Sequence, residues 1–183
     1  MSGMRLGPDG LVEGIRYLPS PNCDERPPGE RVTLLVVHAI SLPPGCYAGD
    51  AVERLFTNRL DPEAHTYYAQ LAGLRLSAHF FIRRDGEAIQ FVPVQRRAWH
   101  AGESRWKGRE RCNDFSIGVE FEGRDDAGYA DVQYLRFAEL VRALRATLPL
   151  EDFAAHSEIA PGRKSDPGPG FDWQRVRDTL QIS

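Results

Sequence analysis

The chain contains no apolar run approaching the roughly 20 residues needed to cross a bilayer, so no membrane partner is expected. Its start, "MSGMRLGPDG", lacks the apolar stretch of a secretory leader. There is no surplus of positive charge: 23 basic against 26 acidic residues give a net charge of −3. A general binder of nucleic acid or anionic membrane shows the opposite balance, so no nucleic-acid partner is expected. Cysteine is scarce, and Cys23, Cys46 and Cys112 are scattered, odd in number and form no CxxC pair, which excludes a disulfide framework. A reducing cytoplasm is the setting these absences fit. Repeats and low-complexity tracts are also missing. One local exception to the charge balance is "SRWKGRER", where Arg105, Lys107, Arg109 and Arg111 alternate. It reads equally as a basic patch or as a solvated loop.

What is present is an ordinary globular composition, 42% hydrophobic and 27% charged over 183 residues. That length fits one domain, able to bury roughly 70% of the surface its unfolded chain exposes. Residues 1–30, with "PSPN" and "RPPGE", read as a turn-rich arm on the surface. "VTLLVVH", Val32 to His38, is a short β-branched run suited to a central strand buried on both faces. "SAHFFIRRDGEAIQFVP" predicts two strands around an Asp85-Gly86 turn. In "FSIGVEFEG", Phe115, Ile117, Val119 and Phe121 take one face, while Ser116, Gly118, Glu120 and Glu122 take a non-core face. Helices are expected over 50–58, 61–73, 131–147 with Asp131 as N-cap, and 172–180 capped by Asp172. Phe137, Leu140, Val141, Leu144 and Leu148 form the apolar stripe of the third. "DFAAH" is an extended entry to the segment that follows. Strands intermixed with helices, and at least one hairpin, point to an α/β (α+β) fold with a mixed sheet.

The segment "HSEIAPGRKSDPGPGFDW" is too rich in proline, glycine and charge for a core element, yet it carries His156, Lys164 and Asp166. Pro167 biases Asp166 towards extended backbone. With His156 ending the preceding strand, two potential metal ligands and a cation face one cleft. A catalytic zinc takes three protein ligands and keeps one position open. His38, where a buried strand meets a loop, is the best third candidate, and its alternative role is a hydrogen-bonded core histidine. Glu120, or less favourably Glu122, is placed to act as a general base; the alternative for both is a solvated strand face.

Five blocks carry a resemblance: "LLVVHAISLPPG", "LRLSAHFFIRRDGEAIQFVP", "RAWHAG", "GRERCNDFSIGVEFEG" and the segment above. Together and in order, they resemble the AmpD-type amidases, which cleave anhydro-N-acetylmuramyl peptides in bacterial cell-wall recycling. The match runs along almost the whole chain, implying one amidase-like domain over 1–183. It implies a central mixed β-sheet flanked by helices, with one zinc ion (Zn2+) at the sheet edge held by His38, His156 and Asp166. It makes Glu120 the water-activating carboxylate and Lys164 the catalytic lysine that stabilises the oxyanion. Whether Glu120 or Lys164 returns a proton to the leaving amine stays open. The substrate implied is an anhydromuramyl peptide cut between the lactyl group and L-alanine. Arg75 and Arg111 fall in matched blocks and suit stem-peptide carboxylates, and Trp99 is a candidate for the sugar pocket; surface salt bridges and core filling are their other readings. His79 and His100 are expected to be structural or to support the ligands, and His65 to lie outside the site.

One departure stands out. Family members carry Asn after the first histidine, "HNISLPPG", where this chain has Ala39. Weaker substrate binding with intact metal binding is the expectation. Two other functions compete with the recycling enzyme: an amidase of polymeric peptidoglycan and a silent muropeptide-binding domain. The phage-type enzymes of the wider superfamily commonly use Cys where this chain has Asp166. The presence of all five site groups argues against the silent domain. A monomer is expected.

Overall fold

The computed structural model describes residues 3–182. The N-terminal thirty residues do more than lie on the surface. Strands β1 (Arg5–Leu6) and β2 (Val12–Glu13) pair antiparallel, and Val12 enters the main core. β3 (Arg16–Tyr17) is an edge strand of the central sheet, and β4 (Cys23–Glu25) pairs with a later strand. Arg26 then fastens this segment to the body, donating to the carbonyls of Val94, Asn113, Asp114 and Ser116 at 2.9–3.3 Å.

The apolar run forms β5 (Leu34–Ile40), with Leu34 to His38 all buried. Helices α1 (Ala51–Phe56) and α2 (Thr66–Ala69) follow. The helix expected over 61–73 shrinks to a single turn, capped by His65, whose Nδ1 accepts from the Tyr67 N–H at 3.0 Å. Tyr67 and Tyr68 are only half-buried and no residue of that turn is fully buried, so little packing lengthens it. β6 (Phe80–Ile82) and β7 (Ala88–Gln90) form the expected hairpin, with Gly86 at φ 88° in the turn. β8 (Arg96–Ala98) pairs with β4, and β9 (Arg105–Trp106) with β10 (Arg109–Glu110). A 3-10 turn at Cys112–Asp114 leads into β11 (Ser116–Glu122). The chain closes with α3 (Asp131–Arg145), β12 (Asp152–Ala155), α4 (His156–Ile159) and α5 (Trp173–Leu180).

The central sheet runs β12–β5–β11–β6–β7–β3. β12, β5, β11 and β6 are mutually parallel, β7 is antiparallel to β6, and β3 is parallel to β7. The mixed sheet expected from the sequence is the one found. Helices α3 and α5 cover one face, burying Phe137, Leu140, Val141, Leu144, Val176 and Leu180 against Leu35, Val37, Ile117, Val119 and Phe121. On the other face, α1 packs Val52, Leu55 and Phe56 on Phe81, Ile89 and Phe91.

Two local expectations are corrected. Ala130, not Asp131, is the N-cap of α3, and its N–H is taken by the Gln133 side chain at 2.9 Å. The second face of β11 is not solvated: all seven of its residues are buried. Glu122 is 4% exposed and accepts from the Arg84 N–H at 2.9 Å. β11 is interior to the sheet and both its faces are covered, so alternation separates two buried sides here. Among the described residues, no helix is long and apolar enough to cross a membrane.

Candidate metal centre

Parallel strands bring their C-terminal ends to the same side of a sheet, where ligand sites of α/β proteins gather. His38 stands in register with Glu120 across β5 and β11. His156 follows Ala155, which is paired with Val37. The row His156, His38, Glu120 therefore crosses three adjacent strands on one face. His156 is not the last strand residue, as expected, but the first of α4. Asp166 comes from the irregular segment beyond that turn.

Three side-chain atoms converge. His38 Nδ1 lies 2.9 Å from His156 Nδ1, His156 Nδ1 lies 3.1 Å from Asp166 Oδ2, and His38 Nδ1 lies 3.4 Å from the same oxygen. The Ala39 N–H also reaches that oxygen, at 3.4 Å. A tetrahedral ion with bonds of about 2.0–2.2 Å sets its ligand atoms roughly 3.3 Å apart. The trio matches that spacing. His156 Nε2 faces the Ala101 carbonyl at 3.2 Å. A carbonyl only accepts, so Nε2 carries the proton and Nδ1 turns a bare lone pair inward. Burial pushes His38 down to about 4, with Asp166 opposing, so the imidazole is neutral. Burial works against charge on Asp166, but its contacts with His156 and His38 outweigh this and hold its carboxyl below the usual range. Lone pairs gathered around a carboxylate call for a cation, and the donor set of two imidazoles and one carboxylate suits zinc.

Glu120 is 8% exposed, and its Oε2 is buried with no hydrogen-bond partner among the described residues. Burial, reinforced by the charge of Asp166 and opposed by Lys164, raises its carboxyl well above the ordinary range. A buried polar atom without a partner is rare in folded proteins and marks a place built for something else. Lys164 is exposed and, among the described residues, makes no ion pair. It still lies near enough for its charge to act on both His38 and Glu120.

The remaining candidates stand further out. Arg111 is paired with Asp114 at 3.2 Å and lines a hollow of about 490 Å³ with Arg105, Arg163 and Ile159, beside α4. Arg75 is exposed in a separate depression near α1 and α2. The Trp99 carbonyl accepts the Ser77 N–H and its own N–H donates to Ser77 Oγ, and its side chain lies close enough to Asp24 to help Arg97 hold that carboxyl low. His79 accepts the Gly118 N–H at 3.1 Å. His65 caps α2. The basic string is neutralised link by link: Arg105 with Glu110, Lys107 with Asp152, Arg109 with Glu30 and Arg111 with Asp114.

Sequence reasoning missed the cradle beneath Asp166. Tyr129 donates its hydroxyl to the Pro167 carbonyl at 2.7 Å. A Cβ on Gly168 would overlap the Asp125 carbonyl, and one on Gly170 that of Ala127. The glycines of "DPGPG" were the available signal for so close a backbone approach.

The N-acetylmuramoyl-L-alanine amidase family model matches residues 28–169. The 1,6-anhydro-N-acetylmuramyl-L-alanine amidase AmpD of Escherichia coli is 54% identical over 170 residues, 92% of this chain and 93% of its own. The crystal structure of a selenomethionine AmpD derivative superposes with a TM-score of 0.92 at 51% identity, over 96% of this chain and 98% of that one. AmiD of E. coli, solved in complex with the substrate anhydro-N-acetylmuramic acid-L-Ala-D-γ-Glu-L-Lys, gives 0.60 at 27% identity, over 99% of this chain and 66% of that one. With the family model covering residues 28–169, the converging His38, His156 and Asp166 among them, the chain belongs to the N-acetylmuramoyl-L-alanine amidase family.

Proposed function

We propose that this chain is a zinc-dependent amidase that hydrolyses the bond between the lactyl group of anhydro-N-acetylmuramic acid and L-alanine, serving muropeptide recycling in the cytoplasm as a single-domain monomer. The observation that carries the proposal is the convergence of His38, His156 and Asp166 beside the unpartnered Glu120 carboxylate. The names of the relatives, and the substrate seen in the AmiD complex, supply the substrate class.

His38 Nδ1, His156 Nδ1 and Asp166 Oδ2 would hold the ion. When bound, zinc supplies a Lewis acid that activates water and polarises a carbonyl. Glu120 Oε2 has no protein partner and is the atom that takes the proton of the attacking water. Burial favours the protonated form, so the carboxyl holds that proton while the water oxygen bonds to the lactyl carbonyl carbon. The Lys164 ammonium faces the developing oxyanion, a type of contact worth about 3–4 kcal/mol of barrier. As the C–N bond breaks, the L-alanine nitrogen needs a proton, and Glu120 is placed to return the one it took. Arg111, at the rim of the hollow beside α4, would receive a peptide carboxylate. Arg75 and Trp99 would make more distant contacts with peptide and sugar.

The test is mass spectrometry on anhydromuramyl-tripeptide incubated with the protein, with and without a zinc chelator. Chelator-sensitive release of the L-alanyl peptide and free anhydro-sugar is the expected result. No release from zinc-loaded protein would overturn the reading.

A further inference from the structure

We infer that His100 and the carbonyl of Ala101 form a clamp that fixes the proton positions of both histidine ligands, making His100 a positioning residue for the metal. The inference rests on the zinc reading above. It begins at the Cys112 carbonyl, which can only accept. Ser116 Oγ donates to it at 2.6 Å and so spends its one proton. The Ser116 lone pair then faces His100 Nε2 at 3.1 Å, and Nε2 must be the N–H. That leaves His100 Nδ1 bare, 2.9 Å from His38 Nε2, which must in turn be the N–H. His38 Nδ1 is left bare, and it is the atom that points at His156 and Asp166. Each link follows from the one before, and the only start is a backbone carbonyl.

The next residue does the same for the second ligand. The Ala101 carbonyl accepts from His156 Nε2 at 3.2 Å, and the Arg163 guanidinium fixes that carbonyl from outside at 2.6 Å. One side chain holds the dipeptide: Asn113 Oδ1 accepts the N–H of His100 at 3.1 Å and of Ala101 at 2.8 Å. The sheet makes room for it. A Cβ on Gly118, in the middle of β11, would lie 2.5 Å from the His100 ring. Glycine weakens a strand interior, and here its missing side chain is the space the imidazole fills. Partners that orient metal-bound histidines in this manner typically contribute 10–100-fold to metal affinity.

The test is the zinc dissociation constant, measured by competition with a chromophoric chelator. His100→Leu is expected to weaken zinc by about 10–100-fold. His100→Asn, whose side-chain oxygen stands where Nδ1 accepts from His38, is expected to restore most of the affinity. Nitrogen-15 NMR of the zinc-loaded wild-type protein supplies a check that needs no variant: His100 should carry its proton on Nε2. An unchanged dissociation constant in folded His100→Leu overturns the inference, as does a proton on His100 Nδ1. A wild-type protein that takes up no zinc overturns the zinc reading itself, which separates the two failures.

Discussion

Glu120 is buried, its Oε2 lacks a partner, and its charge is disfavoured where it stands. Glu120→Gln removes the proton acceptor and keeps the shape. The variant is expected to bind zinc at full stoichiometry and lose about 10²–10⁴-fold in kcat, the usual weight of a general base. Zinc analysis beside steady-state kinetics checks both halves. Ala39 asks a different question. What this position gives the ligand set is its backbone N–H to Asp166, which any side chain leaves in place. Ala39→Asn is therefore expected to leave zinc affinity unchanged and to act on KM alone; altered zinc affinity would show that the side chain reaches the ligands. At this scale His156 and Asp166 were legible as candidate ligands because a histidine and an acid in a segment unsuited to a core need another reason to be there, whereas His38, at the end of a buried strand, stood between ligand and core histidine until the family resemblance assigned it. Glu122 was expected on a solvated face because alternation cannot show that both faces of β11 are covered; it is buried, and the Arg84 N–H satisfies it where Glu120 Oε2 has no partner among the described residues.

Among the elements, the segment carrying Asp166 depends on a surface made by another loop. Gly168 has φ 79° and lies directly on the Asp125 carbonyl. Gly168→Ala combines backbone strain with overlap. It is expected to cost more than about 1 kcal/mol of stability and to weaken zinc binding by displacing Asp166. Urea denaturation and chelator competition read the two effects separately. Elements were legible where a pattern had one cause. The β5 run, the Asp85-Gly86 hairpin and the Asp172 cap, whose Oδ1 accepts the Arg175 N–H at 2.8 Å, each rest on local chemistry. The 61–73 helix shrank because only Tyr67, Tyr68 and Leu71 pack on the core, each partly buried, which is too little to hold more than one turn. His156 was read as a strand end because the turn that redirects it is held by a distant contact, the Ser157 N–H to the Asp166 carbonyl at 3.0 Å.

For the molecule as a whole, three of the four buried histidines, held neutral by burial, weaken the fold in acid. Burial lowers His38 to about 4 and His79 to about 3, and holds His100 well below its usual value. In the unfolded chain each takes a proton near pH 6.5. The unfolded state therefore binds more protons as pH falls below that value, and stability drops. Each histidine contributes a loss of about 1.4 kcal/mol per pH unit. The decline ends for each only when pH passes its folded value. Denaturant titrations at pH 7, 6 and 5 should show a fall, partly offset by Glu120 and Glu122, whose raised carboxyls take up protons in the folded state first, and substitution of a buried histidine by a neutral isostere should lessen it. The mixed sheet was legible from the alternation of strand and helix signals. Its strand order was not, because parallel neighbours such as β5 and β12 are chosen by contacts far apart in sequence.

That separation has a consequence for how the protein is made. His38 and His156 are 118 residues apart, and Asp166 comes later still. A ribosome that has finished residue 150 has produced β5 and β11, and with them only one of the three candidate metal-binding side chains. Domains tend to order from the N-terminal side during synthesis, yet here the last strand to emerge must add itself to the edge of β5 before any metal can be gripped. On the zinc reading proposed above, chains stalled or cut short before that point lack Asp166 whatever structure they have reached, so hydrolytic competence would be confined to chains whose translation has passed residue 166.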